Sequence, residues 1–382
     1  MNNQNRLEFG CFFAPFHPTN ENPTLSLKRD LDLIEWLDYL NYDEVWLGEH
    51  HSGGWGIISS PELMIAAAAQ RTKKIRLGTG VTSLPYHNPL MVANRITQLD
   101  HMTEGRLIFG VGSGQLPSDA YMLNINPSNQ RRMMQESLEA ILHLLEKEEP
   151  LTMKTDWFTL NEARVHLRPY TNPRMEIAVA SLYSPNSATL VGKHGLSMLS
   201  LGGMLPGDGL VNLQKQWKLA EKIALESGKS IDRSNWRLII PMHVAETREE
   251  AFRDVRHGGH RWIIEYFRDT HGRPVKLDAE PGYELDAMAQ GGGVLIGSVE
   301  DCIEGIQNLI DITGGFGKII AVAQDWAPTE KVKKSFELIA RYVMPKFQGS
   351  LNSIETSKSW VAENNKRFSH EWSGAQDKVL EK

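Results

Sequence analysis

The residues best suited to chemistry are Glu49-His50-His51, which directly follow the strand-like run Asp43-Glu44-Val45-Trp46-Leu47-Gly48. One carboxylate and two imidazoles stand side by side. Histidine exchanges protons near neutral pH. Groups this polar need partners when buried. Three uses suit them: proton handling or ligand binding, a metal site, or hydrogen bonding within a loop. His and Glu are good zinc ligands. Neighbouring side chains leaving a strand point to opposite faces, so His50 and His51 do not readily share one ion. No HExxH run or clustered cysteines supply further ligands. No metal is expected, and a proton-handling or ligand-binding histidine leads.

Two other stretches carry weaker signals. Gly110-Val111-Gly112-Ser113-Gly114 resembles a nucleotide loop, but the sixth position is Gln115 where the dinucleotide fingerprint needs glycine. It reads either as close backbone approach at a strand end or as room for a flat ligand. In Ser181-Leu182-Tyr183-Ser184-Pro185, Ser184 and Pro185 read as a helix start. Free N–H groups there, with the hydroxyls of Ser181, Ser184 and Ser187, suit a phosphate; a plain helix cap is the alternative.

The elements around these motifs alternate. Strand-like runs Phe9–Ala14, Glu44–Leu47, Ile75–Val81 and Arg106–Gly112 are separated by amphipathic stretches, Ser26–Leu40 and Leu90–Leu99 among them. Repeated β–α units mean a parallel sheet. Further strands are expected at Glu176–Ala180, Ser197–Leu201, Leu238–Val244 and Lys318–Val322. Eight parallel strands predict an α/β fold of the (β/α)8 TIM-barrel type, whose chemistry sits at the C-terminal strand ends. Glu49-His50-His51 lies at such an end.

Insertions are expected after strands 4 and 7. The first holds a helix from Gln130 to Glu146 and β-like runs Trp157–Leu160 and Val165–Pro169; the second reads as a loop from Thr270 to Gly293, with a lid as its usual role. A single barrel over 1–347 is followed by a polar extension, 348–382, in which Trp360 and Trp372 argue against simple disorder.

Composition narrows the class. Lys and Arg number 41 against 47 Asp and Glu, a net charge of −6 that argues against nucleic-acid binding. Cys11 and Cys302 are the only cysteines, so a reducing, cytoplasmic setting is expected. No apolar run is long enough for a membrane span and the N-terminus has no signal-like apolar region.

Taken in order, Asp43 to His51, Arg76-Leu77-Gly78-Thr79-Gly80-Val81, His87-Asn88-Pro89-Leu90, Leu99 to Arg106, Phe109 to Gly114 and Gly297-Ser298-Val299-Glu300-Asp301 resemble the bacterial luciferase-like flavin-dependent monooxygenases, especially limonene-monooxygenase-like members. The resemblance implies a barrel that takes reduced FMN from a separate NAD(P)H:flavin reductase. With O2 this gives a C4a-(hydro)peroxyflavin that oxygenates a small apolar or heterocyclic compound. It implies His50 as the catalytic histidine, and Ala14, Glu49, Thr79, Ser113, Ser181 and Ser184 around the flavin. Thr79 falls beside the isoalloxazine ring, and Ser181 and Ser184 at the phosphate. Phe13, His51 and Trp55 are expected to wall the substrate pocket. Ser113 stands where luciferase has a phosphate-binding Arg, which removes a bidentate cation. A homodimer or homotetramer is the family habit. An F420-dependent oxidoreductase, a non-catalytic flavin-binding protein and a metal-dependent hydrolase are the alternatives.

Overall fold

The structure, a computed structural model, describes residues 6–13, 16–182, 184–201, 208–273, 277–323 and 325–380. Ala14 lies outside them. The strands are β1 (Glu8–Phe13), β2 (Glu44–Leu47), β3 (Arg76–Thr79), β4 (Thr82–Ser83), β5 (Leu107–Gly112), β6 (Leu151–Lys154), β7 (Thr159–Ala163), β8 (Glu176–Ser181), β9 (Ser197–Ser200), β10 (Trp236–Val244), β11 (Leu295–Gly297) and β12 (Lys318–Ala323). Eight of them close a parallel barrel in the order β1-β2-β3-β5-β8-β9-β10-β12. Closure is made by β12 against β1, with Glu8 opposite Lys318 and Phe13 opposite Ala323. These eight match the eight strands expected from the sequence.

Alternation along the strands builds two cores. Phe12, Trp46, Ile108, Ala178, Leu199, Ile239, Ile320 and Val322 meet inside the barrel. Their odd-numbered or even-numbered neighbours, such as Phe13, Val45, Phe109 and Leu238, face the surrounding helices. Trp46 needs space to lie across the interior. Gly78 and Gly110 leave it: a Cβ on Gly78 would come within 2.7 Å of the indole, and one on Gly110 within 1.9 Å of the Thr79 carbonyl.

Below this apolar layer, at the N-terminal strand ends, lies a charged one. Arg237 is fully buried. It donates through Nε to Glu44 Oε1 at 2.6 Å, through Nη2 to Glu44 Oε2 at 2.9 Å and through Nη1 to Glu176 Oε1 at 2.7 Å. Arg76 holds the other Glu176 oxygen at 2.6 Å. Trp46 Nε1 and the Ser197 hydroxyl complete the set. One end of the barrel is thus sealed by a satisfied ionic network, and the opposite end is left for chemistry.

The insertions differ in detail from expectation. The helix Gln130–Glu146 forms where expected. Of the two β-like runs, 157–160 contributes Thr159 and Leu160 to β7, which pairs with β6, and 165–169 forms no strand. Thr155 keeps the first half of 157–160 out of β7: its hydroxyl accepts from the amides of Trp157 and Phe158, which folds 155–158 into the turn. The stretch after β10 is more ordered than a loop. The helix Arg248–His260 runs on as a π-helical segment, Arg261–Thr270, and Glu284–Gln290 forms a further helix that buries Leu285 and Met288. Strand β11, unexpected from the sequence, adds to β10 at Met242–Val244. Beyond the barrel, the helix Asn352–Leu380 carries Ile354, Trp360, Val361 and Trp372 exposed on its surface.

Candidate active site

Strand β2 ends at Leu47, and the next residues divide by side-chain parity. Glu49 and His51 turn one way and His50 the other. The buried Glu49 carboxylate accepts from His51 Nε2 at 2.9 Å, from His87 Nε2 at 2.7 Å and from the Ser83 amide at 2.6 Å. The three side chains offer ligand atoms within 4.8 Å of one another. Each of those atoms is already used in these hydrogen bonds, so the cluster reads as an acid clamped between two imidazoles. His51 also meets the Tyr86 ring edge-on at 5.8 Å.

Burial would raise the Glu49 carboxyl, but hydrogen bonds from His51 and His87 outweigh it and hold it below its ordinary value of 4.5. The Glu49 hydrogen bond in turn raises His51 above 6.5. The signs define a window. The Glu49 contribution is present above 4.5 and is lost as pH falls through its lowered folded value. The His51 contribution is complete below 6.5 and is lost as pH rises through its raised one. Both are full between 4.5 and 6.5. The melting-temperature difference between wild type and Glu49→Gln is therefore expected to be greatest in that window and to shrink on either side. A difference that keeps growing toward alkaline pH would contradict the assignment.

His50 faces another carboxylate. Its Nδ1 lies 3.5 Å from Asp119 Oδ2, and both residues are buried. Asp119 sits on the short helix Pro117–Met122 that follows β5. Its other oxygen accepts from the Ser52 hydroxyl, which lies 2.7 Å from Ser118 Oγ. Burial would raise Asp119, yet hydrogen bonds from His50, Ser52 and the His51 amide hold it below its ordinary value.

The other expected site residues fall as follows. Thr79 is buried with its hydroxyl bridging both backbone groups of Gly110, at 2.7 and 2.9 Å. Ser113 is half-buried beside the left-handed Gly114, and its carbonyl accepts from Gln130 Nε2 at 2.8 Å. Ser181 is buried and donates to Gln216 Oε1 at 2.9 Å. Ser184 caps the helix Pro185–His194 by accepting from the Asn186 amide. Phe13 lies in the outer core, because Phe12 is the residue of that pair turned inward. Trp55 stacks on Phe16 at 5.0 Å and meets Tyr266 edge-on, while its indole N–H donates to Thr270. With Trp262 and Trp326 these rings form an apolar collar fed from the C-terminal ends of β1, β2, β10 and β12.

The start of the helix Pro185–His194 suits an anionic group such as a phosphate. Its first turn carries no acidic residue, so its positive end is uncompensated. Ser184 and the half-buried Ser187 place hydroxyls beside it. Asp119, Ser52 and Gln216 are not singled out from the sequence, and His87 is so only as part of a motif with no role attached. Each meets its partner across at least 34 residues of chain, and no local spacing announces them.

Barrel, strand-end histidine and collar together define a luciferase-like architecture. The chain belongs to the luciferase-like monooxygenase family, whose pattern matches residues 7–314. It is 47% identical over 359 residues to the 4-hydroxyprotoasukamycin monooxygenase of Streptomyces nodosus subsp. asukaensis, spanning 94% of this chain and 97% of that one. It is 45% identical to the limonene 1,2-monooxygenase of Rhodococcus erythropolis, spanning 91% and 88%. The oxygenating constituent of the Pseudomonas putida 3,6-diketocamphane monooxygenase, solved in complex with FMN, superposes with a TM-score of 0.76 at 26% identity over 89% of this chain and 98% of that one.

Proposed function

We propose that this protein is an FMNH2-dependent monooxygenase that oxygenates a small apolar or heterocyclic compound and receives its reduced flavin from a separate NAD(P)H:flavin reductase. The observation that carries the reading is His50, held against a buried acid at a barrel-strand end, the same rim from which the segments of the aromatic collar arise. When bound, the reduced flavin supplies the oxygen chemistry. The protein supplies the rest. The helix Pro185–His194 with Ser184 and Ser187 receives the phosphate. Thr79 and the small residues at the end of β5 border the ring, with Ser113 beside them. His50 holds or moves a proton at its free ring nitrogen.

The collar of Phe16, Trp55, Trp262, Tyr266 and Trp326 excludes water and favours an apolar substrate. The limonene 1,2-monooxygenase among the relatives is named for a small apolar compound of that class. His51 and Glu49 shape the neighbouring wall. Among the described residues no helix is long and apolar enough to cross a membrane, and we place the protein in the cytoplasm. Leu63 and Met91, exposed on the outer faces of Pro61–Ala69 and Pro89–Met102, suit burial by a second copy in a homodimer or homotetramer.

The test is anaerobic titration with photoreduced FMN, oxidised FMN and reduced F420, followed by admission of 18O2 with limonene present. Tighter binding of reduced FMN and one 18O atom in the product are expected. Binding of F420 with no affinity for reduced FMN would sink the proposal. Flavin binding without product from limonene or a panel of terpenoids and quinone-like heterocycles would favour flavin storage.

A further inference from the structure

We infer that Asp119 is the positioning residue of His50, fixing which ring nitrogen carries the proton, and that Ser52 holds Asp119 in place. The inference rests on the reading of His50 as the proton-handling group. Asp119 is 1% exposed. Among the described residues no Lys or Arg lies within ion-pair distance of it, and its one charged partner is His50. An acid kept in such a place without a cation is costly unless hydrogen bonds sustain it. The Ser52 hydroxyl donates to one oxygen, and the His50 ring faces the other at 3.5 Å with its Nδ1 offered no other partner among the described residues.

The ionised carboxylate accepts and cannot donate. His50 must therefore present an N–H at Nδ1, which leaves Nε2 as the bare nitrogen. An Nδ1–Oδ2 separation of 3.5 Å is long, as contacts of this kind are before ligands bind. The arrangement follows the logic of a catalytic acid behind a histidine, in which the acid orients the ring and steadies its charged form without itself taking the proton. Each side of the dyad is accounted for. Glu49, His51 and Ser52 come from the segment after β2, and Tyr86 from the segment before Pro89–Met102. Tyr266 and His271 come from the insertion after β10. Burial, with the Asp119 charge adding to it, pushes both tyrosines up to about 12, so neither supplies a competing anion. Burial, together with Arg273 and His50, lowers His271.

Ser52 has a distinct task. Its hydroxyl is linked to Ser118, one residue before Asp119 on the same short helix. The segment carrying His50 and the helix carrying Asp119 are therefore tied by a hydrogen bond that does not involve the imidazole. That tie sets the dyad before any ligand arrives.

The experiment uses the full chain labelled with 15N-histidine, without flavin, at a pH where His50 is neutral. Its two 15N shifts report the tautomer. Wild type is expected to show mainly Nδ1–H. Asp119→Asn should move His50 to mainly Nε2–H, because the amide can donate to Nδ1. Ser52→Ala should move the ratio in the same direction by less. An unchanged tautomer in Asp119→Asn overturns the inference; should that variant not fold, an unchanged ratio in Ser52→Ala does so. Turnover with reduced FMN is measured on the same samples, with a fall of about 10²–10⁴-fold expected for Asp119→Asn. A tautomer switch with unaltered turnover supports the positioning contact and instead overturns the role proposed for His50.

Discussion

Arg237→Ala is expected to lose about 3–5 kcal/mol of stability, read as a lower urea midpoint with little change in slope. The cause is what the substitution leaves behind. Glu44 is wholly buried and its two oxygens accept from Arg237 at 2.6 and 2.9 Å. Without the guanidinium its remaining side-chain hydrogen bond among the described residues is the Trp46 indole at 3.1 Å. Glu176 keeps Arg76 and Ser197 and is affected less. The indole also loses a cation stacked 5.1 Å from its ring. The same physics predicts partial rescue. Arg237→Met combined with Glu44→Leu removes both charges and should recover a large part of the loss. A single variant costing less than about 1 kcal/mol, the range of an exposed pair, would show that the layer is solvated.

His50→Ala is expected to lower turnover by about 10²–10⁴-fold while reduced-flavin binding changes little. The side chain is buried beside Asp119 and takes no part in the Glu49 cluster, so its loss leaves the hydrogen bonds of His51 and His87 intact. The phosphate end of the proposed flavin site, at Pro185–His194, belongs to another part of the barrel rim. Binding and turnover should therefore separate. His51→Ala gives the contrast, since it removes one of three donors to Glu49 and should cost stability more than rate. Equal turnover in His50→Ala and wild type would mean that proton handling resides elsewhere.

How far the sequence reveals this depends on the distance over which each feature is encoded. Strands such as Glu44–Leu47 and Lys318–Ala323 are visible because a short apolar run between turn signals has few other readings. The helix Pro185–His194 is visible through Ser184 and Pro185. The opposite facing of His50 and His51 follows from strand parity, and the structure shows it. Asp119 is another matter. In Pro117-Ser118-Asp119 it looks like an ordinary acid in a first helical turn, a position favoured by the helix dipole. Its meeting with His50 exists only once β2 and β5 share a barrel. Phe13 was expected at the pocket because it adjoins it in sequence, and a single step in parity sends it to the other core. The 157–160 run looks β-like through its aromatic content, yet one threonine hydroxyl turns its first half, and only Thr159 and Leu160 enter β7.

The aromatic collar forms a core of its own, separate from the two that build the barrel. Its cohesion and the barrel's are therefore largely independent quantities. The collar can open or exchange residues at a free-energy cost set by a few ring contacts, while the ionic seal at the far end goes on holding the strands together. The same separation means that a substitution among the collar rings reshapes the mouth of the barrel while Arg237, Glu44 and Glu176 stay in contact at its floor.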